Sequence, residues 1–321
     1  MRIPVNRYRL RPSALLCAAA MAVLVSCGAF ARAMPEQPRV AAAEPLLILA
    51  PSTVSSAPLL TLSGQFPDDY RVEFFTDHPQ ALARLIQGEA DLLATGFSVG
   101  DARFRAAGDL VHVVTPVWGV SAIMTHRPVQ RIDDLVGGVI FAPFEGSPID
   151  IFLRAILDHH DLTDQIRIEY APFPQAAALV GQGNAAAAVL VEPIASRLEI
   201  AGTAHRLMNL HDGWSEVSGG EARSPQVSIF ARRSGVSRRG PALALFEQRL
   251  RDAVAEINRD PQSAAVLVAP ALEVPLPIAQ RAMMNTLFDL PPAAETAALI
   301  ADYTRVMGLS EPDVRLYRLE E

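Results

Sequence analysis

Short apolar runs alternate with amphipathic stretches along most of this chain. The runs at residues 46–50, 91–95 and 139–142 are compact and mostly apolar, which is typical of strands buried on both faces. Between such runs, apolar residues recur at helical spacing, as they do over residues 79–87 and 148–157. Alternation at this pace predicts βαβ units and a largely parallel sheet.

One of these units, VIFAPFEGSPIDIFLRAIL at residues 139–157, carries the clearest local chemistry. Ser147 can cap the predicted helix, Pro148 suits its first position, and Asp150 is an acid in its first turn. A Gly146-Ser147 turn at a helix N-terminus presents unpaired N–H groups and the positive end of the dipole, which favour an anion or a carbonyl oxygen. A capped turn that binds nothing explains the same residues.

An internal repeat indicates that the chain contains two units of similar construction. The segments RVEF, PQA and QGEA occur in this order from residue 71, and RIEY, PQA and QGNA occur in the same order from residue 167. The spacing from the proline to the glycine is the same in both copies. Because the copies are separated by about the length of a small α/β unit, we expect two lobes rather than a solenoid.

Two extended runs, at residues 117–124 and 226–231, follow the first and the second copy. They can carry the chain from one lobe to the other and back, which would form a hinge beside a crevice suited to a ligand. The remainder is predicted to be helical, over residues 243–257, 261–268, 277–287 and 291–307.

Composition and charge reduce the number of possible function classes. The chain has 321 residues, 50% of them hydrophobic, and a formal net charge of −7, which argues against a general nucleic-acid binder. The two cysteines, Cys17 and Cys27, both precede the first predicted strand. The sequence therefore predicts that the folded part contains no disulfide, thiol nucleophile or cysteine-ligated metal.

The N-terminus predicts export. A positive region without acids precedes an apolar run at residues 14–25 that is short for a membrane span. The sequence LVSC at residues 24–27 is similar to a bacterial lipobox, which would place a lipid on Cys27. Ordinary secretory cleavage near Ala31 or Ala33 is the alternative, and both routes export the protein.

These features together resemble a known family. The leader, the repeat, EGSPxDxxLRAIL, VLVEP at residues 189–193 and SPQV at residues 224–227 are similar to periplasmic substrate-binding proteins of ABC importers. Within this family, the chain resembles the group that binds nitrate, sulfonates, taurine and thiamine-precursor pyrimidines. The resemblance implies an α/β bilobed type II fold, with two mixed or mostly parallel sheets, flanking helices and a two-segment hinge.

The resemblance also implies the organisation and the role of the chain. It implies a monomer without cofactor or catalytic residues that closes on a small solute and delivers it to an ABC permease and its ATPase. A binding protein for a membrane sensor is an alternative. An enzyme of pyrimidine-precursor synthesis is a further one, although its cysteine-rich segment has no counterpart here. The expected divisions are a signal peptide (residues 1–26) and a tether (27–45), followed by the first lobe (46–118) and the second lobe (119–223). Residues 224–321 are expected to return to the first lobe and to form the C-terminal helices.

By matching position, the ligand contacts are expected at the strand-end turns and the hinge: Ser52, Ser55, Ser56, Thr95, Gly96, Phe97, Trp118, Gly119, Gly146, Ser147, Pro148, Glu192 and Gln226. Glu192 can accept from an amine or ring N–H, or instead form an ion pair or serve a helix N-terminus. Trp118 and Trp214 can stack on a flat ligand or pack in the core. With no arginine in this set, a small organic solute such as a sulfonate or a heteroaromatic ring is favoured over a dianion.

Three other features are weighed against this site. The family's usual aspartate is present as Asp91 in the first copy, but Ala186 stands in its place in the second. The histidines and acids at residues 158–161 are metal-capable, yet they occupy a predicted helix C-terminus, where histidine is ordinary. The arginine pairs at residues 232–233 and 238–239 are interpreted as a solvated turn.

Overall fold

The computed structural model describes residues 44–317 and contains two β-sheets with helices on both faces. The predicted leader, Cys27 and nearly all of the predicted tether lie outside these residues. Within residues 44–317, no helix combines the length and the apolar character needed to cross a membrane.

The strands are β1 (Leu46–Pro51), β2 (Tyr70–Phe75), β3 (Leu92–Gly96), β4 (Leu110–Gly119), β5 (Ser121–Thr125), β6 (Val139–Ala142), β7 (Arg167–Tyr170), β8 (Ala187–Val191), β9 (His205–Asn209), β10 (Val227–Arg232) and β11 (Leu287–Phe288). The α-helices are α1 (Ala57–Gln65), α2 (His78–Gln87), α3 (Phe97–Ala107), α4 (Pro148–His159), α5 (Phe173–Gly181), α6 (Ile194–Ala201), α7 (Leu210–Ser218), α8 (Arg233–Arg259), α9 (Pro261–Ala271), α10 (Leu276–Met284) and α11 (Ala293–Val306). Short 3-10 turns lie at Val54–Ser56, Ile132–Leu135 and Val314–Leu316.

The two sheets repeat one arrangement. The first sheet has the order β11-β4-β10-β3-β1-β2, and the second has the order β7-β6-β8-β5-β9. In the first sheet, β1 lies between β2 and β3 and pairs with both in parallel, and the antiparallel strand β10 lies on the other side of β3. In the second sheet, β6 lies between β7 and β8 in the same way, and the antiparallel strand β5 lies on the other side of β8. The two copies of the sequence repeat are β2-α2-β3 and β7-α5-β8, which confirms the prediction of two mixed sheets with flanking helices.

Two extended segments join the sheets. Strand β4 ends at Gly119 and β5 begins at Ser121, so the chain passes between the sheets at Val120. The return segment runs alongside, because Ser224 N–H donates to Trp118 O (3.3 Å) and Gln226 N–H donates to Val117 O (3.1 Å). The predicted pair of crossings is therefore present as two hydrogen-bonded segments.

Aromatic side chains from both sheets' layers meet in one core. Tyr303 of α11 stacks on Phe152 of α4, with ring centroids 5.6 Å apart, and it also lies 5.8 Å from Trp214 of α7. On its other side it meets the edge of Phe97 at the start of α3, at 6.5 Å. Helix α11 thus links the layer on the first sheet with the layer on the second.

Two sequence predictions in the C-terminal part are wrong. The arginine pairs at residues 232–233 and 238–239 do not form a turn, because α8 begins at Arg233 and continues through Pro241 to Arg259. The helix predicted over residues 277–287 ends at Met284, and Leu287 belongs to β11, which extends the first sheet beside β4. A two-residue edge strand is too short for hydrophobic periodicity to reveal.

Gly100 allows α3 to pack on β10. A Cβ atom at this position would lie 2.1 Å from Cζ of Phe230, which is completely buried. We expect Gly100→Ala to lower the free energy of unfolding by about 1–3 kcal/mol, because an overpacked core must shift. Urea denaturation measures this loss.

The matched control is Gly64→Ala in α1. A Cβ there meets only Leu267 Cδ1, at 4.0 Å, so the free energy of unfolding should stay constant or rise by about 0.5–1 kcal/mol. Equal shifts in the two variants would contradict the packing explanation.

His112 makes the stability of the first sheet depend on pH. Burial lowers the pKa of His112 to about 3 from its ordinary value of 6.5, and its Nε2 pairs with Thr115 Oγ1 at 2.8 Å. The folded state holds the neutral ring while the unfolded chain binds a proton, so stability present above pH 6.5 is lost as the pH falls towards 3. Between pH 7.5 and 5 we expect a loss of ~2 kcal/mol through His112.

Urea denaturation at several pH values checks this expectation. His112→Gln should flatten the pH dependence, whereas His159→Gln, at an exposed position of α4, should leave it unchanged. A His112→Gln protein with the wild-type slope would contradict the assignment.

Candidate functional site

The ends of the strands bring the predicted site residues to two edges that face each other across Val120. The carboxyl ends of β1, β3 and β4 and the amino end of β10 lie at one edge of the first sheet. The carboxyl ends of β6, β8 and β9 and the amino end of β5 lie at the corresponding edge of the second. Because β4 leads directly into β5, this is the position at which an α/β protein with two such sheets can hold a ligand.

The turn after β1 supplies hydroxyl groups to the first edge. Ser52 is exposed, while Ser55 and Ser56 are buried. The hydroxyl of Ser56 donates to Pro51 O (2.6 Å), and Ser55 Oγ pairs with Thr53 Oγ1 (2.6 Å). Ser56 therefore holds the turn, and Ser52, Thr53 and Ser55 remain as the hydroxyl groups that can reach a ligand.

The junction of β3 and α3 leaves a helix N-terminus without a side-chain cap. Gly96 is the N-cap residue and offers no side chain, so the N–H groups of the first turn face the edge without an internal acceptor from the cap. Thr95 Oγ1 pairs with His78 Nδ1 at 3.2 Å. Phe97 is buried against His112 and Tyr303, whereas Ser98, one residue further on, is half-buried. Sequence reasoning missed Ser98.

The turn before α4 forms the cap that the sequence predicts. Ser147 Oγ accepts from Asp150 N–H (3.1 Å), and Gly146 N–H donates to Asp150 Oδ2 (2.8 Å). Asp150 also pairs with Arg154 (3.1 Å) and accepts from the Tyr170 hydroxyl (3.1 Å). Because the Gly146 N–H already donates to the Asp150 carboxylate, it is not available to a ligand. The Ser147 hydroxyl accepts a hydrogen bond in the cap and can still donate its own proton. Pro148 follows at the first helical position, half-buried.

Glu192 is part of a buried ion pair. Its Oε1 accepts from Arg206 Nη2 (2.6 Å) and its Oε2 accepts from Ser196 N–H (3.1 Å). The carboxylate is 0% exposed, and Arg206 on β9 also contacts Glu199. The two structural roles weighed from the sequence, an ion pair and a carboxylate at a helix N-terminus, are therefore both present. A ligand N–H would compete with both contacts.

The hinge residues are packed closely. Trp118 is buried, and its Nε1–H donates to Asp289 O (3.1 Å). A Cβ at Gly119 would lie 2.2 Å from Nδ1 of His211, so the His211 ring rests directly on the hinge backbone. Gln226 Nε2 donates to Ser224 Oγ (3.2 Å).

Two polar atoms near the hinge have no partner in the described structure. They are Ser121 Oγ at the start of β5 and His211 Nδ1 at the start of α7, and both atoms are buried. Burial lowers the pKa of His211, and the neighbouring Asp212 opposes this only in part. Neither residue stands out in the sequence, because each lies outside any capping or turn motif.

Helix α10 contacts elements that directly follow strands of both sheets. It packs on the 3-10 turn at Val54–Ser56 and on α6. Asn285, directly after α10, places its Nδ2 3.4 Å from Ser196 Oγ, and Arg281 lies 3.9 Å from Glu199. Together with the ring contacts of Tyr303, these contacts connect helices and turns that follow strands of the two sheets.

The position of Ala186 lies at the opposite edge. Asp91, its counterpart in the first copy, precedes β3 and accepts from Leu47 N–H at 3.0 Å. It is thus a residue of the strand start, and Ala186 likewise precedes β8. The departure from the family pattern does not alter the strand-end turns.

Two further observations concern metal binding and cavities in the described part of the chain. Residues 44–317 contain no group of three histidine, cysteine or acidic side chains arranged to hold a metal ion. Of the sequence candidates, Trp214 lines a cavity of about 320 Å³ together with Ser218, Arg223 and Leu299.

Solved structures share this fold. The periplasmic aliphatic sulphonate binding protein SsuA from Escherichia coli is 22% identical, with a TM-score of 0.67 over 85% of this chain and 91% of its own. An ABC transporter protein from Parabacteroides distasonis is 15% identical, with a TM-score of 0.71 over 87% of this chain and 100% of its own. The alkanesulfonate-binding protein SsuA from Xanthomonas axonopodis pv. citri, bound to MOPS, is 21% identical, with a TM-score of 0.57 over 85% and 95%.

No protein-family model and no curated protein matches the chain. At these identities the likeness concerns the fold. The chain has the fold of the periplasmic binding proteins, as the sequence resemblance implies.

Proposed function

We propose that this protein is an extracytoplasmic receptor that closes on a small organic solute and delivers it to an ABC permease and its ATPase. The observation that carries the proposal is the meeting of two similar strand-end edges across a hinge of two hydrogen-bonded segments, with Val120 between them. A ligand that contacts both edges would favour the closed state by its differential affinity. No bond is made or broken.

The donors at the two edges suit an organic anion of low charge, for which we propose a sulfonate. The uncapped start of α3 offers N–H groups, and Ser98 and Ser147 offer hydroxyls. Arg206, the arginine beside Glu192, is already held by Glu192 and Glu199. Neutral donors rather than a free guanidinium favour a monoanion, and the E. coli and X. axonopodis structures are of sulfonate-binding proteins. A heteroaromatic ring is the second ligand to test.

We further propose that the protein works as a monomer, outside the cytoplasm, attached through a lipid on Cys27. The location and the lipid anchor rest on the leader and on the LVSC sequence at residues 24–27, and the monomeric state rests on the family resemblance. Secretory cleavage near Ala31 or Ala33 would give the same receptor without the anchor.

A thermal-shift screen of ligand-free protein tests the proposal. The panel contains alkanesulfonates, taurine, nitrate, thiamine-precursor pyrimidines, amino acids and metal ions. A cognate sulfonate at a hundredfold excess over its dissociation constant should stabilise the protein by about 2.7 kcal/mol, which raises Tm by about 5–10 °C. A panel in which no organic solute raises Tm would contradict the receptor function.

A further inference from the structure

A polar cavity lies at the edge of the first sheet opposite to the proposed solute site. It has a volume of about 400 Å³ and lies between the start of β3, the end of β10 and the first turns of α8. Its polar lining consists of Asp91, Arg232, Arg238 and Arg239, and Gly88 and Gly235 line its backbone walls. Three guanidinium groups therefore face one carboxylate.

Arg232 is the most unusual of these side chains. Its Nε is buried and has no hydrogen-bond partner in the described structure, and no carboxylate there pairs with its guanidinium. Gly88 makes room for it, since a Cβ there would lie 2.7 Å from Arg232 Nη2. A buried, unpaired donor on a charged group is costly unless something accepts from it.

The carboxylate of the cavity is already engaged. Asp91 Oδ2 accepts from Leu47 N–H (3.0 Å), and Asp91 Oδ1 lies 3.3 Å from Arg239 Nε. Arg238 is exposed, and α8, which is 27 residues long, begins at this cavity without a side-chain cap. The positive charge of Arg232, Arg238 and the helix start is thus only partly balanced.

From this geometry we propose that the cavity binds a phosphate-type oxyanion, with Arg232 and Arg238 as its main contacts. Guanidinium groups match phosphate oxygens with paired N–H donors, and the start of a long helix adds N–H groups of the same polarity. Neither the proposed solute site nor the fold requires such a cluster at this edge.

The surroundings admit two sources of this oxyanion. Arg239 also donates to Glu44 O (3.3 Å), so the first described residue of the chain contacts an arginine that lines the cavity. A free phosphate and the phosphate of an anionic lipid headgroup therefore present the same chemistry to these arginines.

Calorimetric titration of the full-length protein with inorganic phosphate at low ionic strength tests the first source. Sedimentation with vesicles of phosphatidylglycerol, against vesicles of phosphatidylcholine, tests the second. The variants are Arg232→Gln and the exposed Arg238→Gln, which keeps the test valid if the first does not fold. Arg197→Gln, an exposed arginine of α6, is the matched control.

We expect saturable binding that both cavity variants weaken at least tenfold and Arg197→Gln does not. Such binding with phosphate in solution assigns the site to a free anion, and binding with phosphatidylglycerol alone assigns it to a lipid headgroup. Binding that is absent in both assays, or that the cavity variants and the control change equally, would overturn the proposal.

Discussion

Arg206→Leu is expected to lose about 3–5 kcal/mol of unfolding free energy, because it leaves the Glu192 carboxylate buried without a counter-charge. Glu192 is 0% exposed and keeps only the Ser196 N–H donor once the Arg206 contact at 2.6 Å is removed. Urea denaturation of the purified protein measures the loss.

A second variant separates the ion pair from the packing of Arg206. In Glu192→Gln/Arg206→Leu the buried charge is absent, so part of the lost stability should return. Arg197→Leu, at an exposed position of α6, should change the free energy of unfolding by less than about 0.5 kcal/mol. A loss below about 1 kcal/mol in Arg206→Leu would contradict the structural role assigned to Glu192.

Ser147→Trp is expected to abolish solute binding while the protein remains folded. Ser147 is buried at the start of α4, and its hydroxyl is the donor at this edge that the capping contact with Asp150 leaves available. A tryptophan removes this donor and places a bulky side chain at the turn. Calorimetry with the solute identified in the screen measures binding, and circular dichroism confirms the fold.

The size-conserving control is Ser147→Ala. Loss of the cap should cost about 1 kcal/mol of stability, and loss of the donor should weaken binding without abolishing it. A Ser147→Trp protein with unchanged solute affinity would contradict the site.

The sequence predicts the fold well where local and long-range signals agree. The repeat at residues 71 and 167 marks the two β-α-β segments, and the extended runs near Val120 and Gln226 mark the crossings. Ser147 and Pro148 place the start of α4 at the observed residue, because capping chemistry acts locally.

The positions of the site side chains are harder to predict from the sequence. Phe97 directly follows β3 and Trp118 is the penultimate residue of β4, yet both side chains lie in the core, because the face that a residue presents near a strand end depends on tertiary packing. Ser98 and His211 reach the edges only once α3 and α7 are placed against the hinge. Glu192, directly after β8, pairs with Arg206 on β9, and no local pattern links the two.

Small-angle X-ray scattering with and without the solute that stabilises the protein tests closure at the hinge most directly. We expect a smaller radius of gyration when the solute is bound, and no change for Ser147→Trp under the same conditions. A solute that binds stoichiometrically by calorimetry and leaves the scattering of the wild-type protein unchanged would contradict a receptor that closes on its ligand.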